Sequence, residues 1–246
     1  MRSLQGKNAL VTGAARRIGK GIALALAEQG AGVAVHYHSS PADAESVADE
    51  IRSLGSRAWT LEADLSLADE AEGLVSRAIQ AAGSLEVLVN SASVFGPSTL
   101  ADFTPEELTH NIGVNAMAPM QISRAFAREG REGDIVNMLD ARIDFYDPRR
   151  AAYQLSKRMF RDMTRMAAVE FAPLVRVNAV APGLVLPPPD EDEEYLKKLS
   201  DRLPLKRVGT LEGLVHSVLF LLQSDFLTGQ VIFYDGGYHL KGMSDG

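Results

Sequence analysis

Short runs of aliphatic and β-branched residues alternate with segments of helical period along most of the chain. The runs cover Asn8–Thr12, Val33–Tyr37, Arg57–Leu61, Val87–Asn90, Asp134–Met138, Val175–Val180 and Val231–Tyr234. Between them, apolar positions recur at helical spacing over Ile18–Gln29, Ala42–Leu54, Leu67–Ala81, Pro105–Arg128, Ala151–Phe171 and Leu211–Leu222. Several of the strands are apolar nearly throughout, as a sheet covered by helices on both faces requires. The alternation predicts an α/β fold: one doubly wound, Rossmann-type domain over residues 1–246, with about seven parallel strands and helices on both faces.

One segment breaks the rhythm. Residues 183–208 combine prolines, the acidic run Asp190–Glu194, and then Lys197 and Lys198. Locally this reads as a solvated loop with one short amphipathic helix. Its place after the sixth strand, at the carboxyl edge where open α/β sheets take ligands, makes it a candidate substrate lid. Composition then narrows the function classes. A formal charge of -7 disfavours a nucleic-acid partner, whose phosphates call for clustered Lys and Arg. The chain has no Cys, and its five His form no helical ligand pair, so neither disulfides nor a metal are expected. No apolar stretch reaches the length of a membrane span, and no signal region opens the chain; a cytoplasmic protein without membrane contact is expected.

Candidate chemistry begins at the first strand-to-helix junction, Thr12-Gly13-Ala14-Ala15-Arg16-Arg17-Ile18-Gly19-Lys20-Gly21. Glycine there lets backbone approach a phosphate, and the helix N-terminus offers N–H groups and a positive dipole end. Alone, such a turn is often just a turn. At the first junction of a doubly wound pattern it predicts nucleotide binding. The end of the second strand indicates which nucleotide. A carboxylate there would accept the ribose hydroxyls of NAD, but the chain reads His36-Tyr37-His38-Ser39-Ser40, with no Asp or Glu from Gln29 through Ala42. With Arg17 adding a cation, this loop suits a ribose 2′-phosphate, and NADPH is the expected cofactor.

Tyr153 and Lys157 stand four residues apart, hence on one face of a helix. Most such pairs are surface neighbours. A phenol with a pKa of about 10 is a poor acid near neutrality. An ammonium at ~4 Å in an effective dielectric of ~20 favours the phenolate by up to about 4 kcal/mol, enough to bring proton exchange toward pH 7.

With both motifs present, the chain resembles the short-chain dehydrogenase/reductase family from Lys7 to about Leu240. The likeness extends to Asn90-Ser91-Ala92, Asn115, Ala181-Pro182-Gly183 and Asp235-Gly236-Gly237. The resemblance implies that Tyr153 donates a proton, that Lys157 holds the nicotinamide ribose and tunes Tyr153, and that Asn115 supports a relay water. It places Asp64 and Leu65 at the adenine edge, and Asn90, Ser91, Ala92, Pro182, Gly183 and Leu184 along the cofactor, together with Gly13, Arg17, Ile18, Gly19 and the loop from His36 to Ser40. It also implies a homotetramer packed through the helices of Asn115 and Tyr153. Without the resemblance, Asp64 reads equally well as a helix-start carboxylate.

Two departures from the common family pattern carry more information than the matches. Arg17 stands where a glycine is usual, and Asp140 stands thirteen residues before Tyr153, where most members carry a catalytic Ser. Both occur together in the pteridine reductase branch and the related dihydromonapterin reductases. The chain is similar to that branch in Thr12–Gly19, His36–His38, Ala92–Phe95, Asn137–Ala141 and Pro182–Leu184. The similarity implies a dihydropterin substrate, with Phe95 stacking its ring against the nicotinamide and Arg17 reaching both cofactor and substrate. Ser93, Asp140, Tyr153, Gly183 and Leu184 would line the same site. On residue type alone, Phe95 reads as a core or loop-anchoring aromatic. Asp140 reads second as a strand-end carboxylate capping the next loop, and first through its chemistry. A Ser hydroxyl donates to a ketone oxygen, whereas an ionised Asp only accepts and repels a developing oxyanion. Facing an aminopyrimidine-like ring, it accepts from N–H groups or, when protonated, passes a proton to a ring nitrogen. The competing readings are a reductase of ketones or 3-oxoacyl thioesters, and an idle NADPH-binding sensor, against which the intact Tyr153–Lys157 pair speaks.

Overall fold

The computed structural model describes residues 2–187 and 192–243. Seven strands form one parallel sheet: β1 (Asn8–Val11), β2 (Gly32–Tyr37), β3 (Ala58–Glu62), β4 (Val87–Asn90), β5 (Gly133–Met138), β6 (Val175–Pro182) and β7 (Val231–Tyr234), in the order β3-β2-β1-β4-β5-β6-β7. Each lies within a residue or two of its predicted run. β1, β4 and β5 are buried along their whole length because helices cover both faces. On one face, α1 (Arg17–Glu28), α2 (Pro41–Ser53) and α8 (Leu211–Gln223) bury Ile22, Leu26, Ile51, Leu214 and Val218. On the other, α3 (Ala68–Ala82), α5 (Ala118–Arg128) and α6 (Ala151–Glu170) bury Leu74, Ile122, Phe126 and Ala167. Each fully buried Leu or Ile contributes roughly 1.5–3 kcal/mol.

Strand order reverses between β1 and β4, so a crevice opens at their carboxyl ends. Thr12 spans it, its Oγ1 accepting the N–H groups of Ser91 at 2.9 Å and Ala92 at 3.1 Å.

The sequence pattern predicts one helix over 105–128. The structure instead joins α4 (Pro105–Ile112) to α5 through a π-helical turn at Gly113–Met117. Pro119 has no N–H to donate to the Asn115 carbonyl, and the wider turn absorbs the missing bond. The predicted lid contains one short helix, α7 (Glu193–Ser200), while Pro188–Glu191 lie outside the described residues. Leu196 and Leu203 are buried, so the segment is anchored by apolar contacts rather than solvated throughout.

His36 corrects an expectation. Its ring is 2% exposed and supports the first turn from inside the fold. Nδ1 accepts the Gly13 N–H at 3.0 Å, which puts the ring proton on Nε2, 3.1 Å from the Ala63 carbonyl. Burial pushes its pKa down to about 4. Between 6.5 and 4 the unfolded chain takes up a proton that the folded one refuses, so this group withdraws stability as pH falls through that window. His36→Gln, which keeps an acceptor and a donor but does not titrate, is expected to flatten the decline in melting temperature between pH 6.5 and pH 4. Parallel melting curves for the two proteins would count against this role.

Candidate active site

The nucleotide end of the crevice is built by α1. No side chain caps this helix and no acidic residue lies in its first turn, which leaves its N–H groups and positive dipole end to another partner. Gly13 has φ 63°, and a Cβ on Gly19 would strike the Gly13 carbonyl, so only glycine lets helix and turn close on each other. A pyrophosphate suits that cradle. Ile18 packs against the core beneath it. Arg17 has φ 55°, a conformation costly for a side chain of this size, on the order of 1 kcal/mol. Its Nη2 donates to the Pro187 carbonyl at 2.6 Å, linking the turn to the segment that follows β6.

Around the ribose end, His38 and Ser39 are exposed, and Ser40 precedes α2 without capping it. The Tyr37 hydroxyl donates to Glu62 at 3.4 Å. His38 Nε2 lies 3.6 Å from Asp64, whose carboxyl is held low chiefly by hydrogen bonds from Ser66. Arg16 was not singled out from the sequence. It precedes α1 and pairs with Asp43 in the first turn of α2 at 2.5 Å, bridging two helix starts. Two sequence candidates turn their side chains inward. Leu65 belongs to the core, and Asn90 Nδ2 donates to Asn137 Oδ1 at 2.8 Å and Ser123 Oγ at 3.1 Å. At the other rim, Pro182 ends β6, and a Cβ on Gly183 would lie 2.7 Å from the Asp235 Cα. The Leu184 carbonyl accepts the Gly209 N–H at 2.9 Å, which ties together the two ends of the segment between β6 and α8.

The reactive end gathers at β5 and α6. Tyr153 donates its hydroxyl proton to Asp140 Oδ2 at 2.9 Å. The same oxygen takes Arg142 Nη1 at 3.1 Å, while Asp140 Oδ1 accepts the Arg142 N–H at 2.8 Å. Arg142 Nε reaches Asp147 at 3.2 Å. Gln154 clamps this loop, donating to the carbonyls of Arg142 and Phe145 and accepting the Asp147 N–H at 3.1 Å. The Phe95 ring meets Tyr153 edge-on, with centroids 4.7 Å apart. Arg142, Arg150 and Gln154 escaped the sequence reading, since their partnerships arise only when the loop after β5 folds over α6.

Asn115 is fully buried in the π turn, its Oδ1 accepting Ser93 Oγ at 3.0 Å and the Val94 N–H at 2.8 Å. Its Nδ2 donates to the Val94 carbonyl at 3.0 Å and to Ser156 Oγ at 3.0 Å; Ser156 in turn donates to the Tyr153 carbonyl at 2.6 Å. Asn115 therefore fixes both the loop bearing Phe95 and the helix bearing Tyr153.

Lys157 departs from the expected geometry. Its ammonium donates to the Met138 carbonyl at 2.8 Å and stands 5.9 Å from the Tyr153 ring centroid. The charge nearest the phenol is Asp140. Burial, and then the charge and hydrogen bond of Asp140, push the Tyr153 pKa well above its ordinary value, while Arg142 and Arg150 pull the other way. Tyr153 is thus held as a neutral donor rather than an activated phenolate. Burial pushes Lys157 down to about 8, opposed by Asp140.

A switch-point crevice with a phosphate cradle at one end and a buried acid at the other fits a nucleotide-dependent oxidoreductase. Sequence comparison agrees: the family profile described as enoyl-(acyl carrier protein) reductase matches residues 13–239. The chain belongs to the short-chain dehydrogenase/reductase family. It is 35% identical to an uncharacterized oxidoreductase of Methylorubrum extorquens, over 96% of this chain and 99% of that protein. It is 33% identical to the 3-oxoacyl-[acyl-carrier-protein] reductase FabG of Staphylococcus aureus, over 95% and 98% respectively. Among solved structures, it is similar to FolM alternative dihydrofolate reductase 1 of Brucella canis, complexed with NADP. That match has a TM-score of 0.91 and 33% identity, covering 98% of this chain and 96% of that one.

Lys157 yields a test that separates folding from chemistry. The folded ammonium loses its proton near pH 8 and the unfolded one near pH 10.5. Below 8 the folded state bears the full cost of burying the charge; that cost fades between 8 and 10.5. Lys157→Met is expected to raise the melting temperature of the ligand-free protein at pH 7, with the gain shrinking toward pH 10.5, while oxidoreductase turnover falls ~10²-fold or more. A lower melting temperature at pH 7 would contradict a strained, functional ammonium.

Proposed function

We propose that this protein is an NADPH-dependent reductase of dihydropterins. The observation that carries the reading is the 2.9 Å hydrogen bond from Tyr153 to Asp140, where a ketone reductase of this family would present a Ser hydroxyl. NADPH supplies the hydride. The uncapped start of α1 with Gly13 and Gly19 takes its pyrophosphate, and Arg17, His38, Ser39 and Ser40 take its 2′-phosphate, with no carboxylate at the end of β2 to repel it. Lys157 holds the nicotinamide ribose. The NADP in the Brucella structures supports this choice.

Phe95 presents an aromatic face for a planar substrate, and Asp140 accepts from its N–H groups. Hydride addition to a C=N carbon leaves electron density on the ring nitrogen, which Tyr153 meets with a proton. Asp140, with 14% of its side chain exposed, is the more exposed member of the pair; it takes up a proton from water and passes it to Tyr153. Arg142 offsets the negative charge left on the pair. The lid at 183–208 closes the site, with Arg17 bonded to its first residues. Assembly as a homotetramer through the helices of Asn115 and Tyr153 is supported by Leu155, Met159, Met166 and Val169, apolar side chains left exposed along α6. A monomer in sedimentation analysis would exclude it.

The name of the staphylococcal relatives favours a second reading, reduction of ketones or 3-oxoacyl thioesters. One assay separates the two: oxidation of NADPH and of NADH with dihydrobiopterin, dihydromonapterin, dihydrofolate, a quinone and an acetoacetyl thioester. Dihydropterin turnover with NADPH is expected. Asp140→Ser should lower it by ~10²-fold and leave ketone reduction unchanged or raised, since a hydroxyl donates to the forming oxyanion. Efficient ketone reduction with every dihydropterin ignored would establish the second reading instead.

A further inference from the structure

We infer that the cavity outside Phe95 holds an anion-binding site, centred on Arg150 with Arg149, that binds a carboxylate on the substituent of the pterin; the identity of the occupant rests on the dihydropterin reading above. The cavity measures about 640 Å³, ample for more than a bicyclic ring, and Tyr195 of α7 lines it from the lid side. Its wall carries three carboxylates and three guanidinium groups, and their commitments differ. Asp102 accepts the Thr99 N–H at 2.8 Å and hydroxyl at 2.7 Å. Glu107 closes the capping box of α4 on the Thr104 N–H at 2.9 Å. Asp147 binds Arg142 Nε at 3.2 Å and the Arg149 N–H at 3.0 Å. Each acid is thus engaged by its own loop or by Arg142.

The cations are not matched in the same way. Arg142 is shared between Asp140 and Asp147. Arg149 keeps one loose ion pair, 3.7 Å from Asp147, with 74% of its side chain exposed. Arg150 has no carboxylate within ion-pair distance among the described residues; its guanidinium lies 4.1 Å from the centre of the Phe95 ring. A partly buried guanidinium, fixed against an aromatic that flanks the catalytic Tyr153, is a ready two-pronged donor for a carboxylate. Its place beside that ring puts the anion beyond the reacting heterocycle, on a substituent that extends toward the lid.

The test compares two substrates on the same enzyme: dihydrofolate, whose tail carries carboxylates, and dihydrobiopterin, whose side chain is neutral. The reading is the ratio of their kcat/KM values with NADPH, so a partly misfolded variant lowers both and leaves the ratio alone. Arg150→Gln should reduce the dihydrofolate-to-dihydrobiopterin ratio by about tenfold, mainly through KM, and Arg150→Lys should restore part of it. Added salt should raise KM for dihydrofolate more than for dihydrobiopterin. An unchanged ratio in Arg150→Gln and in the double variant Arg149→Gln/Arg150→Gln, with dihydrobiopterin still turned over, overturns the anion-binding site alone. Failure of the unmodified enzyme to reduce either compound overturns the dihydropterin reading and the site's occupant with it.

Discussion

A carboxylate withdrawn from water must be given donors, and the three that Asp140 receives organise the reactive end of the molecule. Tyr153 supplies one, and Arg142 supplies two through its side chain and its backbone. Such a group is costly to bury unpaired, so the loop that brings Arg142 must close over α6 whenever the chain is folded. That closure places Arg142 beside Phe95 and sets the inner wall of the cavity. The inner wall of the pocket therefore depends on how this one carboxylate is satisfied.

The sheet determines where this happens. Reversal of strand order at β1 and β4 opens the crevice, and Thr12 keeps its two sides in register. The π turn carries Asn115 inward, where one amide ties the Phe95 loop to the helix of Tyr153. Arg17 connects the far end, with a left-handed backbone and its guanidinium on the Pro187 carbonyl. The first turn, the segment after β6 and the buried acid are each held by a few side chains under some conformational or desolvation cost.

Strand and helix periodicity made the architecture legible, because parallel strands buried on both faces can hardly be read as anything else. Spacing and family likeness put Tyr153, Asp140 and Phe95 in one expected site, and the structure brings the three side chains into contact. What escaped was the wiring. The i+4 spacing of Tyr153 and Lys157 fixes a shared helix face but not a rotamer, and the Met138 carbonyl claims the ammonium. His36, at the end of the expected second strand, was assigned to the cofactor, yet its side chain accepts the Gly13 N–H beneath the turn. Arg142 and Gln154 carry no local signal at all, since their partners are set by the closure of the 141–147 loop. The break at Gly113–Met117 had its signal in Pro119, which the unbroken apolar period over 105–128 outweighed.

The central claim is that Asp140 and Tyr153 act as one proton-delivering unit. Single-turnover hydride transfer from NADPH to dihydrobiopterin, followed by stopped flow across pH in the unmodified enzyme and in Asp140→Asn, tests it most directly. Asp140 pushes the Tyr153 pKa upward. Its removal should therefore let the phenol lose its proton at lower pH, bringing in the alkaline limb of the rate profile earlier. Near neutrality the rate should also fall ~10²-fold, with NADPH still bound, because the path that refills Tyr153 is gone. An unaltered rate and an unshifted alkaline limb in Asp140→Asn would contradict the account.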